Sequence, residues 1–205
     1  MEKKGFLIVV SGFSGAGKGT IVKRLVEKYN YSLSVSATTR EPRTGEEDGK
    51  DYYFKSVPEF QNLIDYNGFI EWAQYVDNYY GTPRKFVEDE MKAGRDVILE
   101  IEVQGAMNIR KQYPDAILIF VTAPDANCLR ERLTGRGTES EDVIAKRMKR
   151  AAQEADDMEK YDYVVVNDVI EDCVDTVNSI IVANKCLKKH NIDFIETTSK
   201  ELKSM

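Results

Sequence analysis

The chain has 205 residues, 42% hydrophobic and 31% charged, enough for one sizeable core with room for small inserted subdomains. A formal net charge of -6 argues against nucleic-acid and anionic-membrane partners, because binding polyanions needs a broad basic field; any anionic ligand must be gripped locally. Cys128, Cys173 and Cys186 show no CxxC spacing, and with the single His190, read as a surface residue near the end of the last helix, they supply neither a zinc site nor a disulfide framework; they read as thiols of a reducing cytosol.

The chain opens MEKKGFLIVVSG, whose apolar run of about six residues is too short for a signal peptide or a membrane span, so a cytoplasmic protein is expected. FLIVVSG reads as a strand and is followed by a helix carrying Ile21, Val22, Leu25 and Val26 on one face. DVILEIE, AILIFVTA and YVVVND repeat that short, continuously apolar pattern with helical stretches between them. Alternation of this kind predicts an α/β fold with a parallel sheet covered on both sides and ligands at the carboxyl ends of its strands.

Two stretches break the rhythm. Residues 36–82 are rich in Tyr, Phe, Thr and Gly and predict an inserted β-rich subdomain with one helix, started by the capping box Ser56-Val57-Pro58-Glu59. Helix is expected to resume with Thr82 as N-cap, Pro83 at the first helical position and Gly94 as the stop. Residues 126–158 predict two charged helices joined by Gly135-Arg136-Gly137, a pattern that on charge alone describes a solvated face. From residue 193 the tail DFIETTSKELKSM carries no readable chemistry.

GFSGAGKGT places Gly12, Gly17 and Lys18 in the spacing G-x-x-x-x-G-K, directly after a predicted strand and before a predicted helix. Glycines let successive N–H groups curl around an anion, the helix N-terminus adds partial positive charge, and Lys18 reaches the outer phosphates. Gly12, Phe13, Ser14, Gly15, Ala16, Gly17, Lys18, Gly19 and Thr20 are therefore the expected triphosphate cradle. Gly19 stands where the strict motif has a hydroxyl, which comes one place later at Thr20; Thr20 is the expected magnesium contact, directly or through water. This GKGT variant resembles the phosphate loop of nucleoside monophosphate kinases, which implies Mg-ATP as the phosphoryl donor.

Within the insertion, Arg40 and Arg43 flank Pro42 and could present two guanidinium forks to one phosphate, with Tyr52 and Tyr80 adding phenolic donors. Taken singly, these are surface arginines and packing tyrosines. Together, TTREPRTGE, GKDYYF, FIEWA and NYYGT, followed by GRGTE and VND, resemble the guanylate kinase family from Gly5 to about Asn184. The resemblance implies a P-loop NTPase core with a parallel five-stranded sheet (1–35, 83–125, 159–190), a GMP-binding insertion (36–82) and a helical lid (126–158). It also implies GMP, and by extension dGMP, as acceptor. Glu71 matches the position that accepts the two adjacent guanine donors, and Ser36 and Thr82 those near O6 and N7; an isolated IEW would read as an ordinary strand carboxylate.

By the same resemblance, Lys18, Arg40, Arg43, Arg136 and Arg147 carry the transfer. Arg132 lies beside Arg136 and Arg147 over the donor phosphates, Arg150 matching less well, and Asn167 stands by the adenine pocket. Relatives carry Asp-Ile-Asp where this chain has Glu100-Ile101-Glu102, so these carboxylates are assigned either to the magnesium surroundings or to GMP hydrogen bonding. Scaffold modules of similar sequence lack a working phosphate loop, whereas Lys18 and its glycines are intact here. ATP and GMP are the expected partners, with neither nucleic acid nor membrane, and a homodimer is left open.

Overall fold

The computed structural model describes residues 4–75, 77–135 and 140–205. Strand β1 (Leu7–Gly12), buried along its whole length, leads through the glycine loop into helix α1 (Lys18–Tyr29), which buries Ile21, Val22 and Leu25. The spacing of those three residues sets one apolar stripe against the sheet. After β2 (Ser32–Leu33) the chain leaves the core and builds β3 (Ala37–Thr38), β4 (Tyr53–Phe54), α2 (Val57–Asp65), β5 (Phe69–Tyr75) and β6 (Asn78–Pro83). It returns through α3 (Arg84–Lys92), β7 (Val97–Glu100), α4 (Val103–Gln112) and β8 (Ile117–Thr122). A charged helical pair, α5 (Ala126–Thr134) and α6 (Glu141–Glu154), precedes β9 (Tyr163–Val166), α7 (Ile170–Lys185) and α8 (Ile192–Lys203).

Five strands form one sheet in the order β2-β7-β1-β8-β9, and every pairing in it is parallel. Parallel strands need helical crossovers and burial on both faces, which is why their sequences are continuously apolar. The second sheet, β4-β3-β6-β5, mixes one parallel pairing with two antiparallel ones. It encloses its own small core, where Phe60 of α2 stacks on Phe69 at 4.5 Å and on Tyr79 at 5.6 Å. The capping box predicted at Ser56 and Glu59 starts α2, with Ser56 and Glu59 each accepting the other's N–H.

Three expectations change. Thr82 is not a helix cap: β6 runs on through Pro83, and α3 begins at Arg84 with no side-chain cap, because the Thr82 hydroxyl is already bonded to a carboxylate across the sheet. Gly94 does follow the helix end, in the left-handed conformation at φ 79. His190 ends a short 3-10 turn between α7 and α8, and is half-buried with its ring edge-to-face on Phe6 at 4.9 Å. The tail is helical: α8 sets Ile192, Ile195 and Leu202 on one exposed face, a helical spacing hidden among charges. None of the described helices is long and apolar enough to cross a membrane.

Asp96, just before β7, ties three elements together. One carboxylate oxygen accepts the N–H of Phe6 at 3.0 Å, ahead of β1, and the other meets Lys185 at the end of α7. Asp96→Ala should therefore destabilise the fold by roughly 2 kcal/mol, a fall in Tm of about 4–8 °C, with Asp96→Asn losing less because it can still accept from Phe6. Thermal melts at neutral pH measure both.

Candidate active site

The loop from Gly12 to Thr20 crosses the carboxyl end of the large sheet and is held from two sides. Gly12 sits at φ 138 against the main chain of Val121, where a Cβ would stand 1.9 Å from the carbonyl oxygen. Gly17, at φ 90, faces Asn167, whose Nδ2 donates to the Ala16 carbonyl at 2.8 Å. Only glycine satisfies both the positive φ and the missing space at these positions. Lys18 Nζ donates to the carbonyls of Gly12 and Phe13 at 2.8 and 3.0 Å, and α1 starts at Lys18 without a side-chain cap, leaving its first N–H groups directed into the loop. The Phe13 side chain turns inward, edge-to-face on Phe120 at 4.8 Å, so its contribution to the loop is main chain.

A cleft of ≈ 360 Å³ extends from this loop to the small lobe. Its near end is lined by Gly12, Ser14, Gly15, Gly17, Lys18, Gly19, Thr20 and Arg147, and its far end by Ser36, Arg43, Tyr52, Glu71 and Tyr80. Glu100, Ile101 and Glu102 form the floor between them, with Glu154 closing one side. Arg147, on α6, reaches the loop directly, its Nη1 donating to Ser14 Oγ at 2.9 Å.

Glu71 is the most constrained carboxylate of the far end. The β5–β6 register shifts between Phe69 and Glu71, a bulge that sets Glu71 directly opposite Thr82. Thr82 Oγ1 donates to Glu71 Oε1 at 2.6 Å, and Glu71 is only 6% exposed. Burial pushes its carboxyl up to about 7, against the pull of the Thr82 hydroxyl and with a further push from Glu102. Burial likewise raises the Tyr52 phenol to about 12, followed by the charges of Glu100 and Tyr80, so Tyr52 is a neutral donor at physiological pH.

Of the residues singled out in the sequence, Arg40, Asn167 and Arg132 stand apart from the cleft lining, and Glu102 in its floor has a second task. Arg40 Nη2 bonds both oxygens of Glu46 at 2.9 Å, and the guanidinium lies over the Tyr52 ring at 5.4 Å from its centroid. Glu46 also accepts the Arg43 N–H at 2.8 Å, so it organises the whole TREPRTGE turn, a role not drawn from the sequence. Glu102 caps α4, accepting from the N–H groups of Gln104 and Gly105 at 3.0 and 2.8 Å; burial still raises its carboxyl above the usual range. Asn167 is buried and its amide nitrogen is engaged by the loop, behind the phosphates' expected position. Arg132, in the last turn of α5, stands near Cys173, whose buried thiol is pushed up to about 11 against the pull of that arginine. Arg136 lies outside the described residues.

Glu154 was absent from the sequence assignment; it is buried at the cleft wall and accepts from Arg150 Nε at 2.7 Å, an i,i+4 pair that the sequence does display. Among the described residues no group of three His, Cys, Asp or Glu is placed to hold a metal ion. Thr20, at the end of the loop, and Glu100 both line the cleft with oxygens; the Glu100 oxygens lie 3.5 Å from where a Cβ on Gly19 would stand.

A phosphate loop ending a central parallel strand, with a separate acceptor lobe across the cleft, defines a P-loop nucleoside monophosphate kinase. The family model described as guanylate kinase matches residues 4–184. The guanylate kinase of Caldanaerobacter subterraneus subsp. tengcongensis is 49% identical over 94% of this chain and 94% of its own, and that of Latilactobacillus sakei 52% identical over 88% and 90%. The crystal structure of guanylate kinase from Anaplasma phagocytophilum superimposes with a TM-score of 0.77 at 35% identity, covering 91% of this chain and 89% of that one. The chain belongs to the guanylate kinase family.

A carboxyl raised from 4.5 to about 7 on folding binds more protons folded than unfolded between those values. Stability from this group is thus fully present below pH 4.5 and is lost as pH rises through 7. Glu71→Gln has no charge to bury and should be more stable than the parent by up to ~3 kcal/mol at pH 8, with the difference vanishing near pH 4.5. Chemical denaturation across that pH range reads the difference directly.

Proposed function

We propose that this protein transfers the γ-phosphoryl group of ATP to GMP, with dGMP as an alternative acceptor, yielding ADP and GDP for purine nucleotide metabolism in the cytoplasm. The observation that carries the reading is the placement of Glu71, a buried carboxylate at the far end of the cleft whose near end is the phosphate loop. Guanine presents N1–H and the N2 amino group side by side, and an ionised carboxylate accepts both. Adenine would turn a lone pair toward it and leave buried polar groups unpaired, a mismatch worth about four to five powers of ten.

The attacking oxygen belongs to the GMP phosphate, a dianion at neutral pH because its second pKa is about 6. No general base is required, and catalysis rests on in-line placement and neutralisation of charge. Arg43, Tyr52 and Tyr80 orient the acceptor phosphate, with Arg40 joining from its seat on Glu46. Lys18 exchanges two loop carbonyls for the donor's β and γ oxygens. Helices α5 and α6 serve as a lid, carrying Arg132 and Arg147 over the donor and excluding water.

Thr20 and Glu100 offer the hard oxygens that would hold a magnesium ion, which when bound would supply further charge neutralisation. Asn167 holds the loop in shape behind the donor phosphates. Ser36 and Thr82 complete the guanine end, Thr82 by fixing one oxygen of Glu71.

The deciding experiment is ADP formation from Mg-ATP with GMP, AMP, CMP and UMP offered separately. Turnover confined to GMP is expected, and comparable rates with AMP would overturn the reading. Glu71→Gln should raise the KM for GMP about 100-fold while leaving that for ATP unchanged. Because the guanine site needs the ionised carboxylate, KM for GMP should fall as pH rises from 6 to 8, and Glu71→Gln should flatten this beyond the phosphate's own titration. Lys18→Met should lower kcat by at least ~100-fold.

A further inference from the structure

Helix α4 lies against β5, and three of its residues fall on the face that meets the segment around Glu71. Gln112 Nε2 donates to the Ile70 carbonyl at 2.8 Å, and Asn108 Nδ2 reaches the Trp72 carbonyl at 3.4 Å. These carbonyls flank Glu71 on an outer strand of its sheet, where side-chain amides of α4 stand in place of a further strand. One turn nearer the helix start, Gly105 faces the carboxylate itself. A Cβ there would lie 2.6 Å from Glu71 Oε2 and 3.2 Å from Cδ.

Neither side of that contact yields without cost, and the carboxylate, as the end of a side chain, is the side that would move. The carboxylate is buried and its other oxygen is held by Thr82 at 2.6 Å. The Gly105 N–H is bonded to Glu102 Oε1 at 2.8 Å, which fixes the helix main chain. Gly105 has ordinary helical backbone, a setting in which alanine is the more stabilising residue. The main chain therefore gives no reason for glycine at this position, and the contact with Glu71 does.

We infer that Gly105 is a specificity-determining position: its missing side chain sets how deeply the Glu71 carboxylate stands in the acceptor end of the cleft, with Asn108 and Gln112 as positioning residues that hold β5 at the matching height. The consequence for catalysis rests on the guanine reading of Glu71, whereas the packing itself does not. A side chain at 105 would push the carboxylate away from the place where it meets the base, and the donor end, on the far side of the floor, would not register the change.

A mutant cycle tests this. Gly105→Ala should raise the KM for GMP roughly 10- to 100-fold, leave that for ATP unchanged, and lower Tm despite the helical preference for alanine. Glu71→Asp shortens the carboxylate by one methylene and makes room, so in that background Gly105→Ala should change the GMP constant less than about threefold and raise Tm. Gln112→Ala should raise KM for GMP severalfold without moving that for ATP. A Gly105→Ala protein that folds only when Glu71→Asp is also present supports the inference. Equal effects of Gly105→Ala in both backgrounds, or a raised Tm with unchanged GMP kinetics in the Glu71 protein, would overturn it. Failure of the parent protein to use GMP would instead remove the guanine reading, and the Tm arm of the cycle would still decide the contact.

Discussion

The bond between Thr82 and Glu71 is short and buried, and it links side chains of two strands already paired through their main chains beside a small aromatic core. An ionised carboxylate out of water is costly unless donors surround it. Thr82 is the hydroxyl donor on one oxygen, and burial holds the carboxyl's proton up to about pH 7. On the proposed guanine role of Glu71, a ligand bringing two adjacent N–H groups would surround the ionised carboxylate with donors, so the same burial that weakens the protein above neutrality would sharpen its choice of base.

The cationic side of the cleft is arranged differently. Lys18 rests on loop carbonyls, Arg40 on Glu46 and Arg147 on Ser14, so the strongest donors of the site have intramolecular acceptors. Such partners keep the geometry in order, and the neutral ones, the loop carbonyls and the Ser14 hydroxyl, are weaker acceptors than a phosphate oxygen. With a net charge of -6, the molecule offers no general attraction to polyanions, and these few oriented donors concentrate what positive potential the cleft has.

What the sequence displays and what it hides follow from the range of the interactions. The parallel strands are legible because burial on both faces leaves an uninterrupted apolar run, and the phosphate loop because its glycines and lysine fall within nine successive residues. Ser56 and Glu59 are legible since a capping box is complete within four residues. Thr82 misled because Thr-Pro reads as a helix start locally, whereas its hydroxyl is claimed by a residue eleven positions earlier. The bulge that re-aims Glu71 and the Asn167 bond to the loop depend on geometry between separate elements, whereas the Glu102 cap is local. Gly105 is the extreme case, where the informative feature is an atom that is not there.

One consequence concerns how the protein comes into being. The loop that grips triphosphate lies within the first twenty residues, yet the amide that braces it at Ala16 belongs to Asn167, 151 positions downstream and just past the last strand of the sheet. A chain emerging from the ribosome therefore presents the glycine motif long before the motif is rigid. The nucleotide grip matures only when the final strand docks, and acquisition of that grip marks the completion of the core rather than its beginning.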